Sequence, residues 1–86
     1  MSAVIASGSL AAGGSIAFGT NPNAQQSQSI LIVTEVGCTA TLAFVNGQVV
    51  DLPENLVFTF PVLQGKTYDI EQINAAGAGL TYVLLG

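Results

Sequence analysis

The stretch Cys38-Thr39-Ala40-Thr41-Leu42-Ala43-Phe44-Val45-Asn46-Gly47-Gln48-Val49-Val50-Asp51-Leu52 decides the fold class. Its first arm alternates with the period of two of a β-strand: Cys38, Ala40, Leu42 and Phe44 share one side, and Thr39, Thr41, Ala43 and Val45 the other. Asn46-Gly47 then suits a two-residue type I′ turn, because that turn needs positive φ at both central positions. The second arm resumes at Gln48, so the spacing predicts an antiparallel hairpin.

Outward from this hairpin the same grammar repeats. Ile30-Leu31-Ile32-Val33-Thr34-Glu35-Val36 is β-branched and too short for an amphipathic helix, and Gly37 divides it from the hairpin. On the other side Pro53-Glu54-Asn55 turns the backbone. Leu56 to Leu63 then alternates Leu56, Phe58, Phe60 and Val62 onto one face, with Pro61 marking an edge or a bulge because it cannot donate to a ladder. After Gln64-Gly65, residues 66 to 73 place Tyr68, Ile70 and Gln72 opposite Thr67, Asp69, Glu71 and Ile73. A turn over Asn74 to Gly79 leads to a last strand, Leu80-Thr81-Tyr82-Val83-Leu84-Leu85.

The first third is weaker. Residues 1 to 29 are rich in Ala, Gly, Ser, Asn and Gln, with strand-like pieces at Ala3 to Leu10 and Ser15 to Phe18. Gly19 to Ser29 contains no large apolar residue and reads as an exposed loop or arm.

About six to eight short strands with turn signals every 8–12 residues, and no useful helix, predict an all-β fold. The expected form is an antiparallel β-sandwich, jelly-roll-like or immunoglobulin-like, or a small barrel. The 86 residues make a single domain, with 1–29 as an arm or loop region and 30–86 as the core strands. The expected core is Ile30, Ile32, Leu42, Phe44, Leu56, Phe58, Phe60, Tyr68, Ile70, Leu80, Tyr82 and Leu84.

Composition then removes whole classes of function. There is no His and only one Cys, so imidazole-based nucleophilic catalysis and the usual transition-metal sites are not expected, nor is any cofactor. One Lys, no Arg and a net charge of −4 supply no electrostatic term for nucleic acid or anionic lipid. No apolar run is longer than Ile30 to Val33, far short of the 18 or so residues of a membrane span. The start, Met1 to Gly8, has no basic n-region and reads poorly as a signal peptide, which points to synthesis in the cytoplasm.

The remaining candidate sites each have a plain structural alternative. Gly65-Lys66-Thr67 resembles the end of a phosphate-binding loop, but its upstream glycine is replaced by Phe60, so a turn is the better reading. Asp69 and Glu71, with Asp51 or Glu54, have the chemistry to chelate a hard cation, yet also suit a solvated acidic face. Tyr68 and Tyr82 would stack on a sugar if exposed; core packing is the alternative. Cys38 reads as a small buried hydrophobe.

Only 7% of residues are charged, against about 25% in an ordinary soluble domain. Half are hydrophobic, more than a domain this small easily hides. Val33, Val45, Val57, Val83 and Leu85 point away from the expected core and are the candidate interface residues. Ile30 to Val33 and Leu42 to Val45 would also be aggregation-prone on an open edge. Association with further copies of the chain would cover both.

A short all-β chain with a Ser7-Gly8-Ser9-Leu10-Ala11-Ala12-Gly13-Gly14 start, little charge and a terminal strand resembles small bacteriophage virion proteins of the capsid decoration, cement, minor capsid or spike type. The resemblance covers the whole chain and rests on style, with no diagnostic motif. It implies a non-enzymatic structural protein, located in the virion and made in the host cytoplasm. Its partners would be itself, as a homo-oligomer such as a trimer, and other capsid proteins, with no nucleic acid or membrane. A host-attachment or carbohydrate-binding module is the alternative.

Overall fold

The computed structural model describes residues 3–63 and 65–86. Eight strands run in chain order: β1 (Val4–Leu10), β2 (Ser15–Ala17), β3 (Ser29–Thr34), β4 (Thr39–Phe44), β5 (Val49–Leu52), β6 (Val57–Pro61), β7 (Ile70–Ala76) and β8 (Leu80–Leu85). A single turn of 3-10 helix, Phe18–Thr20, and a short helix α1 (Pro22–Gln26) join β2 to β3.

The strands form two four-stranded sheets, one ordered β1-β8-β3-β6 and the other β2-β7-β4-β5, with every pairing antiparallel. The pairs β1–β8, β2–β7, β3–β6 and β4–β5 nest inside one another, like one long hairpin wrapped into two layers. This is the jelly-roll order, an eight-stranded sandwich made of two Greek keys. The smallest dimension of the molecule, 19 Å, fits two sheets about 10 Å apart with their outward side chains. Of the two aggregation-prone segments, Ile30 to Val33 lies in β3 and Leu42 to Phe44 in β4, each strand flanked on both sides, so neither offers an open edge, and Val45 falls in the following loop.

Alternation explains most of the core. Ile30, Ile32, Leu80 and Leu84 of the first sheet face Leu42, Ile70 and Ile73 of the second, all of them buried. Phe44, Phe58, Phe60 and Tyr82 are partly buried against this cluster, and the Phe58 and Phe60 rings lie 6.3 Å apart. Two expected core residues are exposed instead: Leu56 sits in the connection before β6, and Tyr68 in a turn. The turn arises because one oxygen of Asp69 accepts the amides of both Leu63 and Ile70 at 2.8 Å, a local bond that competes with strand pairing. As a result β7 starts at Ile70 and runs into the first half of the expected turn, ending at Ala76, so that the turn is confined to Gly77 to Gly79.

A bulge in β7 explains a second departure. Ala43 pairs with Gln72 but Phe44 with Ile70, which leaves Glu71 as the extra residue. Ile70 and Ile73 therefore both face inward although they are three positions apart.

The hairpin of β4 and β5 is present, with a different turn from the one expected. The Gly47 amide donates to the Phe44 carbonyl, the Phe44 amide donates to the Gln48 carbonyl, and Gly47 has φ 89°, whereas Asn46 is not at positive φ. This is a three-residue loop closed by a left-handed glycine, with Val45 taken out of the strand. The Asn46 carboxamide oxygen accepts the Gln48 amide and holds the turn.

The expected arm is structured within the fold. Residues 4–10 form an edge strand paired with β8, and Gly8 faces Tyr82 across the ladder. Ser15–Ala17 pairs with β7 and brings Ile16 into the core. Within the expected loop, the Asn21 side chain caps α1 by accepting the Asn23 and Ala24 amides, Pro22 occupies the first turn, and Ala24 is buried. Small residues hid these elements, since packing contributed by distant strands replaces side-chain bulk.

Candidate functional site: an uncharged face of one sheet

The register fixes which side chains of the first sheet point outward. Three rows cross it from β6 to β1: Pro61, Ser29, Leu85 and Val4; then Thr59, Leu31, Val83 and Ser7; then Val57, Val33, Thr81 and Ser9. Seven of these twelve are apolar and none is charged. Indeed no charged residue occurs anywhere in β1, β3, β6 or β8. The rim is the most open part, with Val4 66% and Val57 62% exposed, whereas Leu31, Val33, Val83 and Leu85 shield one another to half-burial.

The second sheet presents a different outer surface. Its rows hold Ser15, Asn74, Thr41 and Asp51, then Ala17, Gln72, Ala43 and Val49. Gln72 donates to Asn74 and Asn74 donates to Thr41, which makes a polar ladder across three of the positions. The six charged residues of the chain lie on this sheet or in connections: Asp51 in β5, Glu71 at the bulge, and Glu35, Glu54, Lys66 and Asp69 between strands.

Of the five candidate interface residues, the structure brings Val33, Val57, Val83 and Leu85 together on the uncharged face. Val45 lies apart from them, in the β4–β5 loop, where its amide donates to the Asp69 carbonyl. The sequence reading omitted Leu31, Val4 and Pro61. Leu31 was recoverable, since it shares parity with Val33; Val4 and Pro61 needed the register of β1 and β6.

The face continues around one edge of the sandwich. Only Pro53 to Asn55 and Leu56 separate β5 from β6, so the two edge strands lie on the same side, and Val49, Val50 and Leu56 are all exposed there. Thr34 holds this corner. Its hydroxyl is buried, donates to the Pro53 carbonyl at 2.8 Å and accepts the Leu56 amide at 3.1 Å, while its own amide donates to the Leu56 carbonyl.

No family model, curated protein or solved structure matches this chain.

The other candidates resolve individually. Asp51, Glu54, Asp69 and Glu71 do not converge: among the described residues no three His, Cys, Asp or Glu side chains come together as metal ligands. Gly65 has φ 76° and Lys66 lies in the same turn, whose tightness comes from the Lys66 amide donating to the Leu63 carbonyl. Tyr82 faces inward and its ring covers Gly8: a Cβ there would lie 2.7 Å from the Tyr82 hydroxyl. Tyr68 is 54% exposed. Cys38 is buried, and among the described residues no helix is long and apolar enough to cross a membrane.

Proposed function

We propose that this chain is a virion structural protein, of the capsid decoration, cement or minor capsid type, which assembles as a homo-oligomer on a protein lattice. The observation that carries the reading is the outer face of the first sheet, twelve positions without a charge. A soluble domain ordinarily interleaves charge on such a surface, and an exposed, largely apolar face is the mark of a contact with another protein.

Size argues for more than the flat face. Four strands about 4.8 Å apart and five residues at about 3.3 Å each give a footprint of roughly 300 Å². Stable interfaces bury about 800 Å² per partner. The contact therefore extends over the β5–β6 edge, where Val49, Val50 and Leu56 are exposed. A face that meets the edge of the next copy is a heterologous contact, and such contacts close into rings when the rotation allows; a threefold ring suits this pattern. Jelly rolls also build viral capsids, lectins and cupins, an analogy of fold alone. Nothing in the chain's chemistry calls for an enzyme.

One observation favours a second reading. Tyr68 is exposed beside Thr67 and Asp69, as a glycan-binding module at a spike tip would require. Light scattering on the purified protein at micromolar concentration separates the two. The structural reading expects a defined oligomer that Val33→Lys and Val83→Lys reduce to monomer, and cosedimentation with particles. A well-behaved monomer that binds glycans through Tyr68 would overturn it.

A further inference from the structure

A cavity of about 260 Å³ lies at one end of the sandwich, where the segment between β2 and β3 crosses from one sheet to the other. Its apolar wall is made of Phe18, Ala24, Val62 and Ile70, all buried. Two residues with polar side chains, Asp69 and Gln25, complete its lining. The nitrogen of Gln25 donates to the Gly19 carbonyl, which turns its role at the cavity into that of an acceptor. Greasy walls that end in a negative charge and an amide oxygen have the form of a receptor for a short alkyl chain ending in a cation.

We propose that this cavity receives a single lysine side chain from a partner protein. Volume sets the scale: the space lies just below the about 300–1,000 Å³ of drug-sized ligand pockets and is ample for one side chain. The sign of the ligand's charge follows from Asp69 and from the net charge of −4 on the chain. Lysine is preferred to arginine on geometry. One Asp69 oxygen already accepts two backbone amides at 2.8 Å, so a guanidinium fork would have to compete with them for its second bond. An ammonium, a compact point charge on a four-carbon stem, needs a single oxygen and lays its methylenes against Phe18 and Ile70. The inference deepens the proposed lattice-binding role by naming what the partner presents, and none of the residues lining the cavity is among those proposed for the oligomer contact.

The test is a titration of the full-length protein, followed by amide NMR shifts, with Nα-acetyl-lysine methylamide as probe. The norleucine and arginine analogues serve as controls. The expected result is a saturable shift centred on Gln25, Val45, Asp69 and Ile70, with a dissociation constant on the order of millimolar for so few ligand atoms. Asp69→Asn keeps an oxygen for the two backbone amides and removes the charge, so binding should weaken about tenfold or more, the size of one charge-assisted hydrogen bond. Val45→Phe, at an exposed loop position lining the cavity, should block it while the fold is retained. Equal binding of the norleucine or arginine analogue overturns the assignment, as does an Asp69→Asn protein that binds as before. So does the absence of any saturable shift. Light scattering decides the oligomer reading separately, so either proposal can fail alone.

Discussion

Thr34→Val removes one oxygen from the corner that holds the candidate edge in place. Thr34 is 2% exposed, and its hydroxyl forms two good hydrogen bonds to the β5–β6 connection: 2.8 Å to the Pro53 carbonyl and 3.1 Å from the Leu56 amide. Valine has nearly the same shape, so cavity formation contributes little and the loss is polar. Each bond is worth a net 0.5–1.5 kcal/mol or so, and two together set a range of about 1–3. The connection is solvent-facing, with Leu56 50% exposed, so water re-solvates part of what is freed and the lower half of the range applies, about 1–2 kcal/mol. In a domain of this size that corresponds to a fall in Tm of roughly 5–15 °C. Urea denaturation at fixed protein concentration is the assay, since oligomer formation makes apparent stability depend on concentration. Thr34→Ser retains both bonds and loses only a methyl, so it should lie clearly above Thr34→Val. If Val and Ser variants are equally stable, or Val costs less than about 0.5 kcal/mol, the hydroxyl does not hold this corner and the reasoning fails.

Four further outcomes follow from the same structure. Ile32→Ala, at a fully buried position, should cost about 2–5 kcal/mol, whereas Leu56→Ala and Tyr68→Ala should stay within about 1; the reverse ranking in chemical denaturation would mean the sheet faces are misassigned. Deletion of residues 1–10 uncovers the β8 edge and removes a ladder running from Val4 to Leu10, so cooperative unfolding should be lost; a truncated protein with an intact thermal transition would return β1 to the status of an arm. Gly8→Val forces its side chain against the Tyr82 ring at a cost of about 1–3 kcal/mol, most of it recovered in combination with Tyr82→Ala; additive costs in that double-mutant cycle would show that the two positions do not meet. Val33→Lys together with Val83→Lys should leave the circular dichroism spectrum unchanged and shift the oligomer to monomer in light scattering; an oligomer that survives both charges does not use this face.

Where the sequence reading fell short, a physical cause can be named for each element. Ile30 to Thr34, Thr39 to Phe44 and Leu80 to Leu85 were legible because β-branched and aromatic residues alternate within a run, so local pattern and final environment agree. Residues 66–73 misled because Tyr68, Ile70 and Gln72 alternate as a strand would, while Asp69 turns the chain by binding two backbone amides with its own side chain. Val4 to Leu10 was only faintly legible, since Ser7, Gly8 and Ser9 have little strand preference by themselves. What secures that strand is β8, 70 to 81 residues away along the paired positions, and the Tyr82 ring that covers Gly8. In the candidate interface, four valines and leucines were found by parity, and Val45 was misplaced because Gly47, alone at positive φ in that loop, lengthens the turn by one residue.

Residue type and period were enough to read an all-β chain, to place ten of the twelve expected core residues in or against the core (all but Leu56 and Tyr68), and to show that the chain has no imidazole and a single basic side chain. Those are properties of residue type and period, and they need no partner strand. The jelly-roll order, the bulge at Glu71 and the gathering of β1, β3, β6 and β8, all without charge, into one sheet are tertiary outcomes. Each depends on which strands pair, a choice made between segments far apart in the chain, where local preference carries no information and burial of both inner faces selects the answer.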